Sequence, residues 1–293
     1  MEKSHSVFKW ILVIFLATVV TSLALIYQSR TGPTKPLRVE LWLNDEQVYM
    51  LKLPRSHGGS TNCLIEINIP DNTVSADLVY RRYPTSEEWQ RVAMVRVADK
   101  LAAFLPNQPP AGKLEYYIIF TQGVKATRLP VADQAIIRFR GDVPAGIILP
   151  HVIFIFAAMF LSNLTLFLAL FGFRQYRVFG WITLGTLIVG GLVFGPIVQK
   201  YAFGQFWTGF PNGMDLTDNK TLIAFVFWLI AVLANLRKSR RYLTVLAAII
   251  MVVIFSIPHS AKGSELDPET GRIKTGMVEL PTMVLKGSNN DAE

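Results

Sequence analysis

The chain has 293 residues, 51% hydrophobic and 17% charged, with a formal net charge of +8. A soluble domain carries about 25% charged residues, and here the deficit is local, so a wholly water-soluble protein is excluded. The positive excess clusters beside apolar segments, and no Lys/Arg run with interleaved aromatics remains to grip phosphates, which argues against nucleic-acid binding.

The first element is an apolar run over residues 10–27, preceded by Lys3 and Lys9 and closed by Arg30. It is long enough for a spanning helix. Ser22-Leu23-Ala24 has the small-residue spacing of a signal-peptidase site. Because Leu25, Ile26 and Tyr27 continue the run, residues 1–32 read as a retained anchor. Either fate exports the segment that follows.

Residues 33–147 have ordinary soluble composition and a period of two. Val39, Leu41 and Leu43 alternate with Glu40, Trp42 and Asn44. Further strands are predicted over 48–53, 64–69, 76–82, 90–97, 114–121 and 136–139, with turns at 54–59, 70–72 and 106–112. That spacing predicts an all-β sandwich. His57, in the predicted turn Ser56-His57-Gly58-Gly59-Ser60, reads as an exposed turn histidine, since no nucleophile motif accompanies it. The single cysteine, Cys63, forms no intramolecular disulfide, CxxC pair or thiolate cluster. It reads as a buried free thiol.

Four stretches of this region occur in a familiar order: Leu78-Val79-Tyr80-Arg81-Arg82, Trp89-Gln90-Arg91-Val92-Ala93-Met94, residues 101–106, and Pro110-Ala111-Gly112-Lys113-Leu114-Glu115-Tyr116-Tyr117-Ile118. Their sequence resembles the fibronectin type III and immunoglobulin-like domains of bacterial exported proteins, over residues 37–142 only. The resemblance implies an immunoglobulin-like sandwich and nothing about activity, since such sandwiches host many functions. Tyr80, Trp89, Tyr116 and Tyr117 are expected to serve core and corner packing.

Residues 148–260 return to apolar runs, with spans predicted over 150–173, 178–198, 221–236 and 242–257. These make a four-helix transmembrane bundle after the anchor. The loops Arg174-Gln175-Tyr176-Arg177 and Arg237-Lys238-Ser239-Arg240-Arg241 are basic, whereas the loop between the third and fourth spans sets Lys200 against Asp215 and Asp218. The positive-inside rule places both basic loops and the N-terminus in the cytoplasm, and the β domain and C-terminus outside. Gly191 and Gly195 have the small-xxx-small spacing that permits close helix approach, and Gly195-Pro196 is expected to bend the third span. With these boundaries no Asp, Glu, Lys or Arg lies inside a span, which argues against a pump or proton-coupled transporter. Asn163, mid-span, is expected to hydrogen-bond to a neighbouring helix.

The residues of most chemical interest fall at the outer rim. His151 opens the second span and His259 follows the fifth. The outer loop carries Trp207, Asp215, Asp218 and Asn219, and the polar tail, 261–293, contributes Glu265 and Asp267. Two imidazoles with carboxylates suffice for a divalent transition metal. Two histidines also serve as axial ligands to haem or hydrogen-bond a quinone. Against this, Asp218 or Thr217 would make an ordinary helix N-cap, and Trp207 fits an interfacial aromatic belt. The tail's apolar strip, 277–285, offers a strand to the sandwich or a partner contact.

The sequence therefore reads as a multi-pass protein of a bacterial inner or plasma membrane. It is an accessory, sensory or assembly subunit whose partners are the bilayer and another envelope protein, with homo-oligomerisation left open. The competing class is a membrane redox or metal-dependent enzyme at the rim, with an unidentified cofactor.

Overall fold

The computed structural model describes residues 2–32, 34–44, 47–258 and 265–274. His259 and the strip 277–285 lie outside them. Helix α1 (Glu2–Thr31) leads into the β region: β1 (Leu37–Asn44), β2 (Gln47–Leu53), β3 (Ser56–Gly58), β4 (Cys63–Asn68), β5 (Val74–Arg82), β6 (Gln90–Ala93), β7 (Val95–Val97), β8 (Lys100–Leu105), β9 (Lys113–Gln122), β10 (Lys125–Leu129) and β11 (Ala135–Arg140). Helices α2 (Ala145–Leu170) and α3 (Tyr176–Leu187) follow. A π-helical segment (Ile188–Phe194) then runs into α4 (Gly195–Phe203), before α5 (Leu216–Ala234) and α6 (Arg241–Ser256). A short hairpin, β12 (Glu265–Leu266) and β13 (Ile273–Lys274), closes the described chain.

The period of two produces the β core directly. In β4, Cys63, Ile65 and Ile67 are buried while Leu64, Glu66 and Asn68 face out. Strands β3-β11-β9-β5-β6 form one sheet, with β10 also paired to β9, and β4-β8-β7 form another beside the β1–β2 hairpin. Their inward faces share one core around Leu41, Ile65, Leu78, Tyr116, Phe120 and Phe139. The predicted turn at 54–59 is in part a strand: β3 pairs parallel with β11, His57 opposite Phe139. His57 is half-buried rather than exposed on a turn, with Nε2 2.9 Å from the Thr61 carbonyl oxygen and its ring against Phe139. The strand predicted over 90–97 is split at Met94, which turns inward and donates its N–H to Ala76 of β5, after which β7 joins the other sheet. Strands β8 and β10 had no strong sequence signal.

Of the four aromatics expected in core and corner packing, Tyr116 is fully buried and donates its hydroxyl to the Pro54 carbonyl at 2.7 Å, and Tyr80 is half-buried against the same core. Trp89 and Tyr117 instead build an outer ladder, with Arg81 over Trp89 at 4.4 Å, Trp89 edge-on to Tyr117, and Arg128 over Tyr117 at 4.1 Å. Arg81 also pairs with the buried Glu115 at 2.5 Å. Cys63 is buried, and burial pushes its thiol pKa up. The thiolate is the reactive form, so the folded protein at pH 8 is expected to resist alkylation and the urea-unfolded protein to react fully. Intact mass after a timed iodoacetamide pulse checks this; equal labelling of both states would contradict the burial.

Among the described residues, four helices are long and apolar enough to cross a membrane: Val7–Thr31, Ala145–Leu170, Tyr176–Phe203 and Leu216–Ala234. That marks the chain as a membrane protein. The expected fifth span is a shorter apolar helix, α6, of 16 residues, about 24 Å at 1.5 Å per residue. Asn163 donates to Thr21 Oγ1 on α1 at 2.9 Å, the interhelical bond its position predicted. The two basic loops meet: Tyr176 Oη donates to Asn235 Oδ1 at 2.7 Å and lies 2.8 Å from Ser239 Oγ, and Arg241 reaches the Gly172 carbonyl at 3.4 Å.

Two features bear on the site. A π segment directly precedes Gly195-Pro196, and its Gly190 and Gly191 press against α2 and α5. A Cβ on Gly190 would stand 2.9 Å from the Ile155 backbone nitrogen, and one on Gly191 2.6 Å from Thr221. The fourth span begins earlier than predicted, at Leu216, so Asp218 and Lys220 lie within its first turns and are buried. Two charged side chains therefore lie within a helix long and apolar enough to span, and the expected absence of such charge no longer speaks against transport.

The β region is fastened to the helix ends. Gly141 N–H donates to the Ala202 carbonyl at 3.0 Å, and a Cβ at Gly141 would collide with the Tyr201 carbonyl. Lys113 pairs with Glu265, and Leu266 N–H donates to the Ala111 carbonyl at 3.2 Å. Gly141→Val is expected to cost about 1–3 kcal/mol, the range for overpacking a filled site. It should also speed proteolysis of the connection at residues 141–144. A cleavage rate equal to wild type would show that the junction tolerates the side chain.

Candidate rim site

The site grows from the end of β11 and the adjoining ends of α2, α4 and α5. Strand β11 carries Arg138 to the helices, where its guanidinium stacks over Phe203 of α4 at 4.1 Å. Burial lowers the Arg138 pKa, opposed by the nearby negative charges of Asp215 and Glu265. An arginine starts so high that it stays charged at neutral pH.

Asp215 is the N-cap of α5, its Oδ1 accepting from Thr217 N–H at 2.8 Å. Asp218 and Thr217, the predicted caps, lie inside the helix. Asp218 instead anchors the preceding loop. Its Oδ2 accepts from the N–H groups of Thr208 at 2.6 Å and Gly209 at 3.0 Å, and from Thr208 Oγ1 at 3.2 Å. Asn219 Oδ1 accepts from Phe210 N–H at 2.7 Å, so two adjacent side chains fold the loop onto the helix start. Trp207 donates Nε1–H to the Phe210 carbonyl at 2.9 Å, within the loop itself. Gln199 of α4 donates to Thr208 Oγ1 at 2.5 Å and ties the loop to α4. Lys220 reaches the other way, donating to the carbonyls of Ile257 at 2.7 Å and Pro258 at 3.3 Å. It thereby joins the start of α5 to the chain leaving α6.

His151 sits in the second turn of α2, with Nδ1 2.9 Å from the Gly190 carbonyl oxygen in the π segment. π segments are rare and concentrate at functional sites. Together these residues wall a cavity of about 170 Å³, lined by Arg138, His151, Gln199, Asp215, Asp218 and Lys220 among apolar side chains.

Of the predicted site residues, His151, Asp215 and Asp218 therefore line one space. Glu265 pairs with Lys113 and Asp267 caps its own hairpin, accepting from Glu269 N–H at 3.0 Å; neither lines the cavity. Trp207 and Asn219 stabilise the loop. Among the described residues, no three His, Cys, Asp or Glu side chains gather as a metal-binding group. Sequence reasoning missed Arg138, Gln199 and Lys220. Lys220 had a legible signal, a lone cation directly before an apolar run, whereas Arg138 and Gln199 had none.

The chain matches no family model, no curated protein and no solved structure. Its functional reading therefore rests on geometry alone.

Proposed function

We propose that the chain is a non-catalytic accessory subunit of a cell-envelope membrane, whose immunoglobulin-like β domain, outside the membrane, holds a partner protein. The strand order supports the fold reading. A β4-β8-β7 sheet facing a β6-β5-β9-β11 sheet corresponds to the B-E-D and C′-C-F-G arrangement of immunoglobulin sandwiches. The meeting of both basic loops away from the β domain supports a cytoplasmic face there and a four-helix bundle between the two faces.

The observation that carries the proposal is an apolar outward face. Register puts Leu64 opposite Phe104, and Val95 and Val97 beside them on the same side of the sheet. All four are exposed, Phe104 by 57% and Val95 by 65%. The neighbouring hairpin adds Trp42, Val48 and Met50, also exposed. Scattered apolar side chains need no explanation, but a cluster of this kind, beside the Glu66–Lys100 ion pair on the same face, suits an interaction surface. A charge at its centre disrupts docking without touching the core. Phe104→Glu and Val95→Glu are expected to strip co-purifying envelope protein from the detergent-solubilised complex while leaving the unfolding midpoint within about 2 °C of wild type, since surface changes cost under ~0.5 kcal/mol. Full retention of the same partners by both variants would sink the proposal.

A second reading is a membrane redox or metal-dependent enzyme at the rim, since His151, Asp215 and Asp218 line one space, although among the described residues no three metal-ligating side chains gather there. It predicts stoichiometric metal in the purified protein that His151→Ala removes. A clean spectrum without metal rejects it.

A further inference from the structure

The rim cavity is separate from the apolar face of the β domain, and its chemistry selects a ligand. Its size sets the first limit. A cavity of about 150 Å³ holds one benzene, so about 170 Å³ admits a single six-membered ring with a substituent or two. A porphyrin or a phospholipid headgroup with its glycerol is too large.

The walls set the second limit. Ile155, Val198, Phe203 and Phe255 supply apolar surface, and Gly195 presents no side chain. Among the charged groups, Asp218 is occupied by Thr208 and Gly209, Lys220 by two backbone carbonyls and Asp215 by the Thr217 N–H, and Arg138 lies over the Phe203 ring. A small charged ligand would have to displace those bonds.

His151 supplies the specific contact. The Gly190 carbonyl only accepts hydrogen bonds, so a neutral His151 carries its proton on Nδ1 and leaves a lone pair on Nε2. No hydrogen bond to Nε2 is present among the described residues. The imidazole thus offers one acceptor to the cavity, with its tautomer fixed from the opposite side by a backbone group. Such a site suits a ligand with an O–H donor on a small apolar ring.

We propose that this cavity binds a hydroxylated aromatic ring, a phenol or the head of a quinol, with its O–H donated to Nε2 of His151. The ring lies between α2, the π segment and α4, against the gap at Gly195. A Cβ placed on Gly195 would sit 3.8 Å from His151 Cε1 and 3.6 Å from the Gly190 carbonyl oxygen. These are ordinary contacts, so Gly195→Ala is accommodated by the fold while its methyl takes space beside the imidazole.

The test is titration of the full-length protein in detergent with phenol, benzene, hydroquinone and decylhydroquinone, by calorimetry against the same variants in the same micelles. Wild type is expected to bind phenol at least tenfold more tightly than benzene. His151→Phe should erase that preference while still taking up benzene, which shows that the cavity survives. Gly195→Ala should weaken every ring ligand about tenfold with an unchanged unfolding midpoint. Decylhydroquinone binding above hydroquinone, beyond the micelle partition seen with His151→Phe, assigns the ring to a membrane quinol; equal binding assigns it to a water-soluble phenol. Equal affinity of wild type for phenol and benzene, no ring binding at all, or a phenol preference that persists in His151→Phe overturns the proposal. Loss of ring binding with retention of partner protein in Gly195→Ala keeps this test independent of the docking face.

Discussion

Trp228→Ala is expected to destabilise the helical half by about 3–5 kcal/mol, the range for emptying a buried tryptophan site, whereas Trp228→Phe should stay within about 1 kcal/mol of wild type. Trp228 lies on α5 with no exposed surface, in a cluster with Leu184, Leu187, Ala231, Ala247 and Met251. The position of a Cβ on Gly180 of α3 is 3.7 Å from its ring, so the indole fills the gap that this glycine leaves. Between membrane helices association rests on such packing rather than on expulsion of water, and alanine would leave a void that rigid backbones cannot close. Phenylalanine fills most of it. The indole Nε1 is buried without a hydrogen-bond partner among the described residues, and an unsatisfied buried donor costs about 1–3 kcal/mol. Phenylalanine removes that cost, which offsets the smaller ring. Thermal unfolding in one detergent, with all three proteins side by side, decides it. A Phe variant as unstable as the Ala variant would mean that Nε1 makes a bond that matters.

What the sequence disclosed about this fold follows from the range of the interactions involved. Alternation in Val39, Leu41 and Leu43 and the apolar runs around Asn163 and Trp228 are local patterns, and the β core and the helices formed where those patterns lay. Strand β3 escaped because Ser56-His57-Gly58 has turn composition and is made a strand only by Phe139 and its neighbours, some 80 positions away. The π segment escaped because Ile188–Phe194 is as apolar as any helix; its register change comes from glycines pressed against Phe154, Ile155 and Thr221. At the rim, topology alone brought His151, Asp215 and Asp218 to one depth, but not their bonds. Nothing in the residues around His151 points to a carbonyl 39 positions along the chain. Arg138 looks like one more outward strand residue until the end of α4 covers it. Asp218 has the composition of a cap and the position of an anchor, a distinction that only the folded loop makes.

That distinction gives the second large effect. Asp218→Ala is expected to cost about 2–4 kcal/mol, because two backbone N–H groups, those of Thr208 and Gly209, would lose a charged acceptor in a buried setting. An ordinary N-cap loss costs about 1 kcal/mol, and Asp215→Ala, which removes the true cap, should fall near that lower figure. The pair therefore separates the two roles by magnitude. Asp218→Asn keeps an acceptor oxygen of the same reach, though uncharged, and should land between them. Amide hydrogen exchange gives the residue-level readout: Thr208 and Gly209 should exchange at least ~30-fold faster in Asp218→Ala, since 2 kcal/mol corresponds to roughly that factor. In Asp215→Ala the faster amide should be that of Thr217. The loop carries Thr208 to Gln199 and bounds the rim cavity through α5. Asp218→Ala should therefore also loosen α4 at Gln199 and weaken whatever the cavity holds. Protected Thr208 and Gly209 amides in that variant would show that other groups hold the loop, and would leave the Asp218 carboxylate buried for some other purpose.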